Sequence, residues 1–393
     1  MQPLLSETQR ARLESAHALA RRFAERAERH DREGSFPFEN FADLHAAGFL
    51  ALALPPELGG AGLSLYDFCL LQEALAQGCG ATALGTNMHW YNLGGGLHLF
   101  TDAFRRRVAE AVVRDGAVVA SSLSEPGASL GAPQVTARKV AGGYLVSGRK
   151  YFCTLAPVLR FFLFNARLEG CERPGASGTV TLAAERGIDG MAIVETWDAL
   201  GMRASGSHDI ELRDAFIADE CLIGVEGAGT EGGNACLPWY ALGIAAVYTG
   251  VAGAAFAFAV DYLKRRTLQP LPASVAHLPG SQFSVAEMQI LLETSRALIY
   301  KTAAELTHGA DFGRGLLAAI ATPQSVATRN ALQVVGAAMQ VVGGPSLTRR
   351  LPLERWYRDV RAGTLHPFTH YWLLEMIGKA ALGIAADVQP RWI

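Results

Sequence analysis

Residues 237–260, LPWYALGIAAVYTGVAGAAFAFAV, contain no charged side chain. A run of this length either spans a bilayer or lies where protein surrounds it on every side. Its composition favours the second. Ala, Gly and Val outnumber Leu and Ile, and it is a single segment in a chain that otherwise alternates apolar and polar residues. Small side chains let neighbouring helices approach closely. The segment is therefore expected at the centre of a helical bundle, with the rest of the chain arranged around it and no membrane involved.

On either side of this run the hydrophobic period changes twice. Residues 1–115 repeat at helical spacing, in 8–28, in FENFADLHAAGF and in LYDFCLLQEALAQ. The loop LPPELGGAGLS separates the last two, and Ser64 is placed to cap the helix beginning at Leu65. Residues 116–230 shift to short runs rich in Val, Ile, Phe and Thr, punctuated by Gly, Pro and Asp, as in a small antiparallel barrel or sandwich. VAGGYLVSGRK reads as a hairpin with Gly142-Gly143 at its turn. Residues 231–393 return to helical periodicity at 237–266, 281–308, 316–342 and 367–387. Pro367 would open the final helix, where a missing N–H costs nothing. The expectation is an α+β multidomain chain: an N-terminal helical domain, a central antiparallel β domain and a C-terminal four-helix bundle.

The 393 residues include 35 Lys+Arg against 37 Asp+Glu, which offers no electrostatic case for nucleic acid or an anionic membrane. Six cysteines are scattered with no CxxC pair, arguing against a disulfide scaffold or a zinc site and for a reducing cytoplasm. The N-terminal stretch is charged throughout and has no apolar h-region, so no secretory signal is expected.

Five stretches, LPPELGGAGLSLYDFCLLQEALA, SSLSEPGAS, VSGRKYFCTLA, LGMRASGSHDIEL and MQVVGGPSLTRRLPLERWYRDVRAG, occur in this order. Together they resemble the acyl-CoA dehydrogenase superfamily over nearly the whole chain. The resemblance implies a flavin, FAD by default, held between the β domain and the C-terminal bundle of a homotetramer. It implies that Leu123 and Ser124 meet the ring's polar edge, joined by Thr154 from the neighbouring strand. Ser129 and Arg266 would face the pyrophosphate, Thr369 the cofactor, and Gln340, Gly343 and Gly344 a flavin of the partner subunit. Arg358-Asp359 would be structural, and helical salt bridges account for most of the arginines at 355, 358 and 361. The GGG at 94–96 reads as a helix break.

The chain departs from the family where chemistry matters. YRDVRAGTLHPFTH places Pro367 where the family carries its catalytic glutamate, and the alternative base position on the first bundle helix falls near Tyr240. RTLQP replaces the family's R-x-x-F-G, so that Gln269 and Pro270 stand at the adenosine end, and Ser129-Leu130-Gly131 replaces G-S-D. These changes weaken contacts that distinguish FAD from FMN and make FMN the alternative cofactor.

Histidines offer other chemistry: His89 in the domain that would roof the pocket, His366 beside the missing base, and His208 in GSHD. His366 and His370 have i, i+4 spacing without an evident third metal ligand. Three functions are compatible with these residues. One is α,β-dehydrogenation of an acyl thioester coupled to an electron-transfer flavoprotein, with Tyr240 or His366 as base. The second is a reduced-flavin monooxygenase served by a flavin reductase, acting on an aromatic or heteroaromatic substrate with His89 and His366 beside the flavin. The third is a non-catalytic flavin or acyl-ligand binding protein. Trp90, Tyr91, Trp239 and Tyr240 suggest a bulky planar ligand.

Overall fold

The computed structural model describes residues 5–127, 132–171, 178–228, 235–270 and 272–388. Five helices come first: α1 (Glu7–Glu33), α2 (Phe38–Ala46), α3 (Leu65–Gly78), α4 (Gly80–Gly94) and α5 (Asp102–Asp115). α1 begins in a capping box between Ser6 and Gln9, and the Ser64 hydroxyl accepts the Asp67 N–H at the start of α3. α4 ends at the first glycine of the GGG run.

Eight strands follow: β1 (Val118–Ser121), β2 (Thr136–Val140), β3 (Gly143–Cys153), β4 (Leu159–Leu168), β5 (Thr179–Glu185), β6 (Met191–Val194), β7 (His208–Ala218) and β8 (Leu222–Gly227). They form one sheet in the order β6-β7-β3-β2-β4-β5-β8, with β1 also paired to β4. The expectation of a wholly antiparallel sheet needs correcting, because β4 runs parallel to both β1 and β2. Pairing orientation depends on how connections cross the sheet, which strand periodicity does not report. The β2–β3 hairpin is present, but Val140 pairs with Gly143, so its turn is Ala141-Gly142, with Gly142 at φ 76°.

The last part packs α6 (Cys236–Arg265), α7 (Pro279–Thr307), α8 (Leu316–Val342), α9 (Leu353–Arg361) and α10 (His370–Ala381). Pro367 does not open α10. It lies in the turn before it, after which the extended Thr369 (ψ 158°) precedes a helix starting at His370.

α6 contains the uncharged run, and it is the one helix among the described residues long and apolar enough to cross a membrane. It packs instead against α3, α4, α7 and α8. Its glycines set the spacing. A Cβ on Gly243 would stand 1.8 Å from Asn87 Oδ1 on α4, and one on Gly250 would stand 2.3 Å from the Glu73 carbonyl on α3. α3 is tied in turn to α7, where Arg296 Nε donates to Glu73 Oε1 at 2.8 Å and the Tyr300 hydroxyl donates to Oε2.

α4 is fixed to the sheet through His89, which is 0% exposed. Its Nδ1 accepts the Val119 N–H at 3.0 Å, and its Nε2–H donates to the Leu50 carbonyl at 2.9 Å. Burial lowers its pKa to about 4, so the ring is neutral and both nitrogens are committed to backbone. The expected place of His89 beside a ligand is thereby corrected: it is a structural tie. Trp90 is equally buried and donates to the Phe49 carbonyl, while Trp239 packs on Gly94 and Phe68.

Two stability outcomes follow from this packing. Gly250→Ala gains about 1 kcal/mol of helix propensity, but forcing a methyl against a backbone carbonyl costs about 1–3 kcal/mol. The clash at 2.3 Å is severe, so the variant should melt below wild type; an unchanged or higher melting temperature would refute the close crossing. For His89, the unfolded imidazole protonates near 6.5 and the folded one only near 4, so the unfolded chain binds more protons between these values and acid destabilises the fold. The loss should reach at most about 3 kcal/mol by pH 4. Urea titrations at pH 7 and pH 5 should show a smaller loss for His89→Gln, and identical pH dependence of the two proteins would contradict the assignment.

Candidate functional site

A cavity of about 720 Å³ lies between the sheet, α4 and the C-terminal helices. Its sheet wall is the segment Ser121–Ser124 with Phe152 and Thr154; its bundle wall includes Tyr240, the end of α9 and the turn 365–368 before α10. Aromatic rings run along it: Tyr91 stands 5.6 Å from Tyr240, Tyr240 6.1 Å from Phe368, and Phe368 stacks at 4.0 Å on Trp372. Phe152 meets Trp197 edge-on at 6.1 Å across another side.

The sheet wall presents polar groups in a defined pattern. Ser124 is anchored by accepting the Tyr151 N–H at 2.9 Å and donating its own N–H to Ser122 Oγ at 3.3 Å. Among the described residues the Leu123 N–H and the Ser124 hydroxyl have no partner. Thr154 Oγ1 shares a hydrogen bond of 2.8 Å with Ser207 Oγ, which shares one of 2.7 Å with Ser205 Oγ. Behind this wall, fully buried Lys150 donates to Glu125 and to Asn165 Oδ1 at 2.6 Å, while Glu125 accepts the Val135 N–H at 3.2 Å. Burial lowers the Lys150 pKa, and its partnership with Glu125 opposes that shift. This pair holds the 123–125 loop against the strands.

Backbone strain concentrates here. Phe152, Leu155 and Met202 adopt φ of 56°, 76° and 53°, conformations that side chains of this kind rarely take. The strained turn at 152–155 presents Thr154 to the cavity. Met202 is held by its N–H donating to Asp359 Oδ1 at 2.6 Å, and burial raises that carboxyl to about 6. Arg358 forms a bidentate pair with Asp31 at 2.9 and 2.6 Å and also bonds Glu354, joining α1 to α9. His208 Nδ1 accepts the N–H groups of Thr196 and Trp197, so it positions the wall loop, and it does not line the cavity.

The bundle wall supplies His366. Its Nε2 lies 2.6 Å from the hydroxyl of fully buried Tyr248. Burial raises the tyrosine pKa well above its ordinary value and lowers that of His366 to about 4. Tyr248 therefore keeps its proton and donates to Nε2, and the neutral ring carries its own hydrogen on Nδ1. Tyr240 lines the cavity, but burial pushes its pKa far up, so it keeps its proton and the expectation of Tyr240 as base is corrected. Among the described lining residues none is a carboxylate; the charged ones are Arg358 and Arg361.

The other expected residues sort into two groups. Arg266 donates to the Val342 carbonyl at 2.9 Å, which brings it beside Gly343 and Gly344 at the end of α8, close in sequence to Gln340. None of the four lines the cavity, and neither does Thr369 at the start of α10. Ser129 lies outside the described residues. The sequence reading missed Tyr248, hidden within the uncharged run, and Asn92 and Ser121, which nothing but proximity connects.

The donor set suits a planar heterocycle with one polar edge: an orphan amide N–H, two hydroxyls on one wall and aromatic or aliphatic surface elsewhere. Residues 6–115 match the family model described as acyl-CoA dehydrogenase, N-terminal domain, and residues 242–371 the one described as acyl-CoA dehydrogenase, C-terminal domain. The YdbM protein of Bacillus subtilis is 34% identical, with 92% of this chain and 94% of that one covered. The 3-sulfinopropanoyl-CoA desulfinase of Advenella mimigardefordensis is 30% identical, with 92% and 90% covered. The structure of KijD3 in complex with FMN and dTDP-3-amino-2,3,6-trideoxy-4-keto-3-methyl-D-glucose is similar with a TM-score of 0.87 at 29% identity, covering 99% of this chain and 97% of that one. Such proteins are flavin-dependent enzymes of varied activity. Sequence, fold and cavity agree that the chain belongs to the acyl-CoA dehydrogenase family.

Proposed function

We propose that the protein is a reduced-flavin-dependent monooxygenase on the acyl-CoA dehydrogenase fold, acting on a planar aromatic or heteroaromatic substrate. The observation that carries this reading is a described cavity wall without a carboxylate. Dehydrogenation of an acyl thioester needs a base for the α-proton, which typically contributes about 10²–10⁴-fold. Tyr240 stays protonated, and His366, with its pKa near 4, is a weak base. A neutral imidazole is suited instead to donate a hydrogen bond.

Leu123 N–H, Ser124 and Thr154 would hold the flavin's polar edge, with the Ser205–Ser207–Thr154 hydroxyl chain fixing the threonine's orientation. Arg266, Gln340, Gly343 and Gly344 would serve the cofactor of another copy in a homo-oligomer. When bound, reduced flavin supplies the two electrons by which one atom of dioxygen enters the substrate and the other leaves as water. His366 Nδ1–H would donate toward the reacting oxygen while Tyr248 holds Nε2, so the ring cannot rotate away without losing that bond. The aromatic walls exclude water. FAD is the family's default cofactor, and FMN is the alternative, supported by the KijD3 complex and by Gln269 and Pro270 at the adenosine end.

Thioester chemistry is a second reading, favoured by the 30% identity to a desulfinase named for an acyl-CoA substrate. Two assays separate the readings. Incorporation of ¹⁸O from dioxygen into an aromatic substrate, dependent on a flavin reductase, supports oxygenation. Anaerobic bleaching of bound flavin by acyl-CoA supports dehydrogenation and overturns our proposal. Purification without flavin and no spectral change on adding FAD or FMN would support the non-catalytic reading. In the oxygenation assay His366→Ala should lower turnover about 100-fold; unchanged turnover would remove His366 from the chemistry.

A further inference from the structure

Where α4 meets the end of β1, the cavity wall carries a second polar patch: Tyr91 and Asn92 of α4 with Ser121 of β1, all lining the cavity. Asn92 is 4% exposed. Its amide Nδ2 donates to the Met88 carbonyl at 2.7 Å and to Ser121 Oγ at 3.2 Å. The Tyr91 hydroxyl and Ser121 Oγ share a further hydrogen bond in which either can donate. Burial raises the Tyr91 pKa, so both groups keep their protons.

Counting hydrogens shows what is left. The two hydroxyls own two hydrogens and their mutual bond uses one, so one O–H remains available whichever of them donates. Both amide hydrogens of Asn92 are used, while its Oδ1 has no partner among the described residues. One unused donor and one unused acceptor therefore sit side by side in the cavity wall. Covering such groups without pairing them is costly, so a ligand that satisfies both is strongly preferred over one that satisfies neither.

We infer that Asn92 and the Tyr91–Ser121 pair form a specificity subsite for an aromatic hydroxyl, in which a phenolic O–H donates to Asn92 Oδ1 and its oxygen accepts the free hydroxyl hydrogen. A single oxygen meets both requirements, and the surrounding rings of Tyr91, Tyr240 and Phe368 accept the aromatic body. This deepens the oxygenase reading by naming the substrate class, and it rests on that reading only for the fate of the ligand, not for its binding.

The test is calorimetric titration of the protein as purified, with any flavin oxidised so that nothing turns over, using 2-naphthol, 2-methoxynaphthalene and naphthalene. 2-Naphthol donates and accepts, the ether only accepts, and the hydrocarbon does neither. 2-Naphthol should bind at least about ten-fold more tightly than naphthalene, with the ether between them. Asn92→Leu should bring 2-naphthol down to about the affinity of the ether while naphthalene still binds, which also shows that the variant is folded; Ser121→Ala should lower the preference in part. Equal affinity of wild type for 2-naphthol and naphthalene, or an undiminished preference in both variants, would overturn the subsite. If the preference holds and 2-naphthol is not oxygenated by the reduced enzyme, the subsite stands and the oxygenase reading fails.

Discussion

The structure depends on how closely α6 approaches its neighbours. A helix of 30 residues whose 237–260 stretch carries no charge can be buried there only if the surrounding helices supply contact along that stretch. The glycines at 243 and 250 permit that contact by removing the atoms that would collide with Asn87 and with the Glu73 carbonyl. In return α3 and α4 are set at fixed distances, and α4 reaches the sheet through His89. The cavity is the space that remains between α4, the sheet and the turn after α9. Its dimensions are therefore a consequence of small residues on a helix that contributes only Cys236, Leu237 and Tyr240 to the lining.

Burial also decides the chemistry of the titratable groups. The same desolvation that lowers the His366 pKa raises those of Tyr240 and Tyr248. The outcome is a wall of neutral donors and acceptors where related enzymes are expected to carry an anionic carboxylate. Of the charges nearby, Arg358 is neutralised by Asp31 and Glu354 and Lys150 by Glu125, while Arg361 donates to the Thr364 hydroxyl. Such a site suits reactions in which hydrogen bonds hold oxygen atoms better than it suits proton abstraction from carbon.

Much of the fold was legible because hydrophobic period and local caps are local signals. The capping serine at 64, the helix break at 94 and the limits of the α6, α7 and α8 helices follow from residues adjacent in sequence. The parallel pairings of β4, the start of α10 after Thr369 and the short β8 strand were not legible, since they depend on partners far along the chain. The site divides in the same way. Leu123, Ser124, Thr154, Tyr240 and His366 were found from motifs and all line the cavity. His89 was a fair candidate by residue type, but its ring is consumed by the backbone of Leu50 and Val119.

By itself the sequence determined the order of helical and β segments and the burial of the uncharged run, because each follows from residue type and spacing alone, and its resemblance to the family placed Pro367 where a carboxylate is expected. Only the tertiary structure decided which side chains share the cavity, which keep their protons and which hydrogen-bonding groups remain unpaired. Those properties depend on desolvation and on distances of a few ångströms between segments such as Tyr248 and His366, or Asn92 and Ser121, that no local pattern links.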